Sequence, residues 1–93
     1  MHAEEPRNGV RYELFLEEHD DARARYRCVI HTAEGPRGAS VEIDREGARV
    51  LHEEPGIDPS HRAQLIALAR TVGKRDESPW PRRVNRWRSP GVR

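Results

Sequence analysis

Three turn signals in quick succession constrain this chain more than any other feature. EHDDA around His19–Ala22, EGPRG at Glu34–Gly38 and DREG at Asp44–Gly47 separate four runs of alternating polarity. Alternation is the period of a half-buried strand. Connections this short cannot carry a parallel crossover, so the four runs must form an antiparallel meander. Between Val10 and Glu17, Tyr12, Leu14 and Leu16 fall on one face, with Arg11, Glu13 and Glu17 opposite. From Ala24 to Thr32, Tyr26, Cys28 and Ile30 share a face, and Arg25, Arg27, Val29 and His31 take the other. Ala39, Val41 and Ile43 point inward from a third strand, Ala39–Asp44, and Val50 from a fourth, Ala48–His52. Glu34–Gly38 itself reads as a loop, because its Gly and Pro residues impose special backbone angles.

A helix follows the loop EEPGI. Asp58 is placed to cap it and Pro59 suits the first helical position. Leu65, Leu68, Ala69 and Val72 recur at helical spacing and form one apolar stripe. Gly73 reads as the stop, in the left-handed region. The helix would span about 14 residues, or about 21 Å, enough to cover one face of a four-stranded sheet. The expected fold is α+β: a four-stranded antiparallel meander, one C-terminal amphipathic helix (β-β-β-β-α), then an irregular basic tail. The expected organisation is a flexible start at 1–9, a single domain at 10–73 and a tail at 74–93.

Composition enters through what it excludes. With 34% hydrophobic residues in 93, the core must be small, and no apolar run is long enough to span a membrane. The opening MHAEEPRNG lacks the pattern of a secretory signal. Cys28 is the single cysteine and favours a reducing compartment, so a cytoplasmic location is expected. Charge is unevenly spread: residues 1–54 sum to −5 and residues 74–93 to +5. A basic end of this kind attracts phosphates or an acidic protein surface, including the chain's own body.

Two surfaces are candidates for function. The first is the outer face of the sheet, where Phe15, Val29 and Leu51 interrupt an otherwise polar pattern. Scattered apolar residues are ordinary on a surface, and Trp80 or Trp87 could fold over this one. A homodimer packed through it would complete a sandwich of sheets, and symmetric dimers are common. The second is the tail, where Trp80 and Trp87 alternate with Arg82, Arg83, Arg86 and Arg88. Guanidinium groups contact phosphates and indoles stack on unpaired bases, so the tail suits nucleic acid. It equally suits anchoring onto the domain, or a protein partner, since Trp and Arg are frequent interface anchors. Pro81 permits a short helical turn from Pro81 to Arg88.

Catalytic patterns are missing. His2, His19, His31, His52 and His61 form no HExxH or other metal-ligand spacing. Cys28 and His31 are three apart on a strand and face opposite sides, which separates a thiol from its base. GPRG lacks the spacing and the Lys of a phosphate-binding loop. No catalytic residue, metal ligand or cofactor is therefore expected. The expectation is a small non-catalytic binding or adaptor domain that self-associates as a homodimer through Phe15, Val29 and Leu51. The alternative is a nucleic-acid-binding protein that uses Trp80, Arg82, Arg83, Arg86, Trp87 and Arg88. In order of elements alone, residues 10–73 are similar to the single-stranded-DNA-binding coactivators of the positive-cofactor class. That resemblance implies dimerisation and a curved sheet bearing basic and aromatic residues, and it transfers no individual residue.

Overall fold

The computed structural model describes residues 9–74 and 80–88. Five strands and one helix follow in the order β1 (Val10–His19), β2 (Arg23–Thr32), β3 (Gly35–Asp44), β4 (Gly47–Glu53), α1 (Pro59–Gly73) and β5 (Arg83–Arg88). The strands make one antiparallel sheet in the order β4-β3-β2-β1-β5. The meander and the helix match the sequence reading. The tail does not: the stretch expected to be irregular supplies β5, which pairs with β1 from Val10↔Arg88 to Phe15↔Arg83. No helical turn forms between Pro81 and Arg88; the segment is extended and its main chain completes β1.

Each hairpin is closed by a side chain just before the bend. Asp20 Oδ1 accepts from the amides of Ala22 (2.7 Å) and Arg23 (3.0 Å). Asp44 Oδ1 accepts from the amides of Glu46 (2.8 Å) and Gly47 (3.0 Å), and Gly47 supplies a φ of +154°. Short polar side chains that bond forward in this way fold the chain back on itself. Between β2 and β3, Thr32 Oγ1 takes the amide of Glu34, and pairing resumes at once with Thr32↔Gly35. The expected loop at 34–38 is thus mostly strand. Pro36 is tolerated because β4 pairs only as far as Ala39↔Glu53, leaving β3 a one-sided edge at Pro36.

One face of the sheet carries the core. Tyr12, Leu14, Tyr26, Cys28, Ile30, Val41 and Ile43 are buried there, as the alternation requires. Leu65, Leu68, Ala69 and Val72 of α1 close over them. Asp58 caps α1 by accepting from the Ser60 amide at 2.8 Å, with Pro59 directly after it. The Tyr12 hydroxyl, deep in the layer, donates to Gln64 of the helix. Val50, on the edge strand β4, is half-buried and packs against the core.

Gly73 ends the helix for a reason other than the expected one. It does not adopt positive φ; Lys74 follows it in a right-handed conformation. Its constraint is proximity: a Cβ there would lie 2.7 Å from Ile43 Cγ2 and 3.1 Å from the Asp44 carbonyl oxygen. Gly73→Ala should therefore destabilise the fold by about 1–2 kcal/mol through overpacking, despite alanine's better helix propensity. For a domain of this size that is a melting temperature lower by roughly 4–16 °C. An unchanged or raised midpoint would contradict the close approach.

Candidate nucleic-acid interface

The other face of the sheet is where charge and aromatic surface converge. Direct cross-strand partners define three rows over it. Arg83, Phe15, Arg27, Ser40 and His52 form one, and Asn85, Glu13, Val29 and Gly38 the next. Trp87, Arg11, His31 and Pro36 form the third. Neighbours along a row are one inter-strand spacing apart, about 4.8 Å. The tail and the outer face, read from sequence as separate surfaces, are therefore one surface wherever β5 lies beside β1.

Glu13 is the hub. It is only 8% exposed although it lies on the outer face. Its Oε2 accepts from Arg83 Nη2 at 2.7 Å and lies 3.3 Å from Arg11 Nη1; its Oε1 is 2.8 Å from His31 Nε2. The Arg83 hydrogen bond, then that of His31, with support from Arg11, holds the carboxyl well below its usual range, at about 2. Charge-assisted bonds of this kind favour the ionised form and order the donors around it. Glu13 thus locks β1, β2 and β5 together on their solvent side.

Around this hub the aromatic rings are dressed with guanidinium groups. Arg27 lies 4.6 Å and Arg83 5.6 Å from the Phe15 ring centre, and Arg11 lies 5.8 Å from that of Trp87. All three distances fall within cation–π range. Trp87 itself is 60% exposed. Elsewhere on the face cations are neutralised: Arg49 and Arg23 (3.6 Å) bind Glu42, and Arg25 binds Glu18 (2.6 Å) and Glu17 (3.5 Å). Among the described residues, Arg27, Arg82 and Arg86 have no carboxylate partner. Of these, Arg27 borders the aromatic rows and leaves a positive excess there, whereas Arg82 and Arg86 fall on the other side of β5.

The residues singled out from sequence separate into distinct roles. Phe15 and Val29 are diagonal neighbours on the outer face, both half-buried. Leu51 is 46% exposed but sits on β4, with β3 between it and β2, so the three make no continuous apolar patch. Trp80 does not join the outer face. It packs half-buried against the core, and its indole Nε1 donates to the Asp20 carbonyl at 3.0 Å. Tyr26 extends the same attachment, its hydroxyl donating to the Pro81 carbonyl at 2.7 Å. Arg83 and Trp87 reach the outer face, whereas Arg86 pairs with Tyr12 on the opposite side of β5. Arg88 pairs by its main chain with Val10, and its side chain lies outside the described residues. Arg11, Glu13, Arg27 and His31 are the members that sequence reasoning passed over as a polar face. The signal for Arg27 and Phe15 was their cross-strand alignment, which a tight hairpin permits.

The single cysteine is buried. Burial pushes the Cys28 thiol up to about 12, which keeps it protonated and unreactive. His31 lies on the other face from Cys28. Among the described residues no three His, Cys, Asp or Glu side chains are placed to hold a metal ion. A shallow hollow of about 180 Å³ between the β3–β4 turn and the end of α1 is lined by Asp44, Arg45, Glu46, Arg70 and Lys74. Among the described residues, no helix is long and apolar enough to cross a membrane.

No family model, curated protein or solved structure matches this chain.

Proposed function

We propose that this is a non-catalytic binding domain whose outer sheet face, completed by β5, takes single-stranded nucleic acid. The observation that supports this most is the exposed Trp87 ring beside Arg11, one strand from Phe15 with its flanking Arg27 and Arg83. Flat rings bordered by cations suit a ligand that alternates planar bases with phosphates. Arg27, which has no carboxylate partner among the described residues, supplies a phosphate contact, with Arg11 and Arg83 on the same face beside it. A duplex hides its bases, so unpaired strands fit better.

Self-association is the competing use of this face. Its apolar members are few, Phe15 is covered by two guanidinium groups and Leu51 stands apart, so the face offers little dry surface to a second copy. Stable dimer interfaces of standard size bury about 800 Å² per partner around an apolar centre.

The test is an oligothymidylate titration followed by tryptophan fluorescence. With about three phosphate contacts, affinity should fall about twenty-fold between 50 and 200 mM salt. Trp87→Ala should weaken binding about ten-fold or more through lost stacking. Arg27→Ala should weaken it and flatten the salt slope. Absence of binding at low salt, or binding indifferent to both substitutions, contradicts the proposal. A dimer that dissociates on Phe15→Asp would restore the self-association reading.

A further inference from the structure

We infer that the outer edge of β5 is a docking site for an acidic protein segment in extended conformation, which adds a sixth strand to the sheet. β5 is the terminal strand of the order β4-β3-β2-β1-β5, and among the described residues only β1 pairs with it. The register tells which groups face outward. The Leu16 amide donates to the Arg82 carbonyl at 2.9 Å, so hydrogen-bonded pairs with β1 fall at Arg82, Val84 and Arg86. The amides and carbonyls of Arg83, Asn85 and Trp87 therefore point away from the sheet. The Arg86 guanidinium donates to the Asn85 carbonyl at 3.0 Å, on this open side.

The two edges of the sheet differ in how they are guarded. On β4 the pairing is interrupted by an irregularity between Ser40 and Val41, α1 packs against the strand, and Glu53 is tied to Arg62 at 2.5 Å. On β5 the register with β1 runs unbroken over Arg83–Arg88, that stretch contains no proline, and among the described residues the Arg86 guanidinium on the Asn85 carbonyl is the one outward group already engaged. An edge of unbroken register is a template for another strand. Its charge selects the occupant. Arg82, Arg83 and Arg86 lie along it, so a second copy of β5 would set arginine against arginine. An extended segment with carboxylates on alternate residues answers Arg82 and Arg86 on one side. An apolar residue on the other side meets Trp87. This inference rests on the main-chain edge, whereas nucleic-acid binding rests on side chains of the outer face, and Trp87 is the one residue they share; edge-amide protection by the peptide therefore tests it apart from oligothymidylate affinity.

The probe is a capped, dye-labelled decapeptide of alternating glutamate and valine, titrated with the full chain at low salt beside its lysine–valine counterpart. The glutamate peptide is expected to bind and the lysine peptide to fail. Hydrogen exchange at the amides of Arg83, Asn85 and Trp87 should slow ten-fold or more on binding. Asn85→Pro removes an outward amide without removing a bond to β1, a position where an edge strand tolerates proline. It should weaken the peptide at least ten-fold. If that variant fails to fold, the exchange pattern of the unaltered chain decides. Equal binding of both peptides overturns the inference, as do protection confined to β4, undiminished binding by Asn85→Pro, and a dimer built on β5.

Discussion

A chain ended at Lys74 should lose cooperative folding, or melt at a far lower denaturant concentration than the full chain. The expectation rests on what residues 80–88 contribute. Val84 is 6% exposed and stands opposite the fully buried Leu14. Burying a side chain of this size stabilises by roughly 1.5–3 kcal/mol. The Arg83–Glu13 bond is charge-assisted and contributes about 1.5–3 kcal/mol more. Trp80 shields part of the core, and Pro81 accepts the Tyr26 hydroxyl, which would otherwise be buried without that partner. Together these are on the order of 4–8 kcal/mol, comparable with the whole stability of a small domain. Urea denaturation followed by circular dichroism measures the loss. Val84→Asp, which leaves the chain length intact, should reproduce most of it. A truncated chain that melts cooperatively within a few degrees of the parent would mean that β5 is an accessory.

Acid titration is the second large effect, and Glu13 controls it. Its folded carboxyl titrates at about 2, below its ordinary 4.5. A depressed folded value means that the unfolded chain takes up the proton first as pH falls. The stability that Glu13 contributes is therefore complete above about pH 4.5 and drains away between there and pH 2. Glu13→Gln should cost about 1.5–3 kcal/mol at neutral pH, because Arg83, Arg11 and His31 lose their shared acceptor charge. The variant should also lose the part of the acid dependence between pH 4.5 and 2 that belongs to this residue. Midpoints across that range, for parent and variant, give the comparison. Parallel curves would show that the charge at Glu13 is not coupled to folding. Because the same carboxylate orders Arg83 beside Phe15, the variant should also weaken oligothymidylate.

What was legible in the sequence was whatever depends on local period. The inward face of the first four strands follows from residues two apart, and the N-cap of α1 from Asp58-Pro59. β5 escaped because RRVNRWR buries only Val84 on its inward side, with Arg86 two residues on still exposed. Alternation has no apolar partner there to repeat. An edge strand of that kind is specified by its neighbour, through Leu14↔Val84 and Glu13–Arg83, and neither contact lies within 69 residues along the chain. The same distance hid the candidate site. Phe15 and Val29 were read on the outer face, but the arginines over Phe15 come from β2 and β5, and Trp87 reaches Arg11 only across the β1–β5 seam. Gly73 was placed correctly at the helix end for a mistaken reason, since crowding against Ile43 leaves no mark on local pattern.

The seam between β1 and β5 has a consequence for biosynthesis. A ribosome delivers Val10–Phe15 about seventy residues before the segment that covers them, as the separation of Glu13 and Arg83 records. Until then the nascent polypeptide exposes Leu14 and its neighbours along a bare flank. Contacts of such long span slow the final closure. Translation rate and chaperone supply, more than the thermodynamics of the finished molecule, should govern how much of it accumulates without clumping.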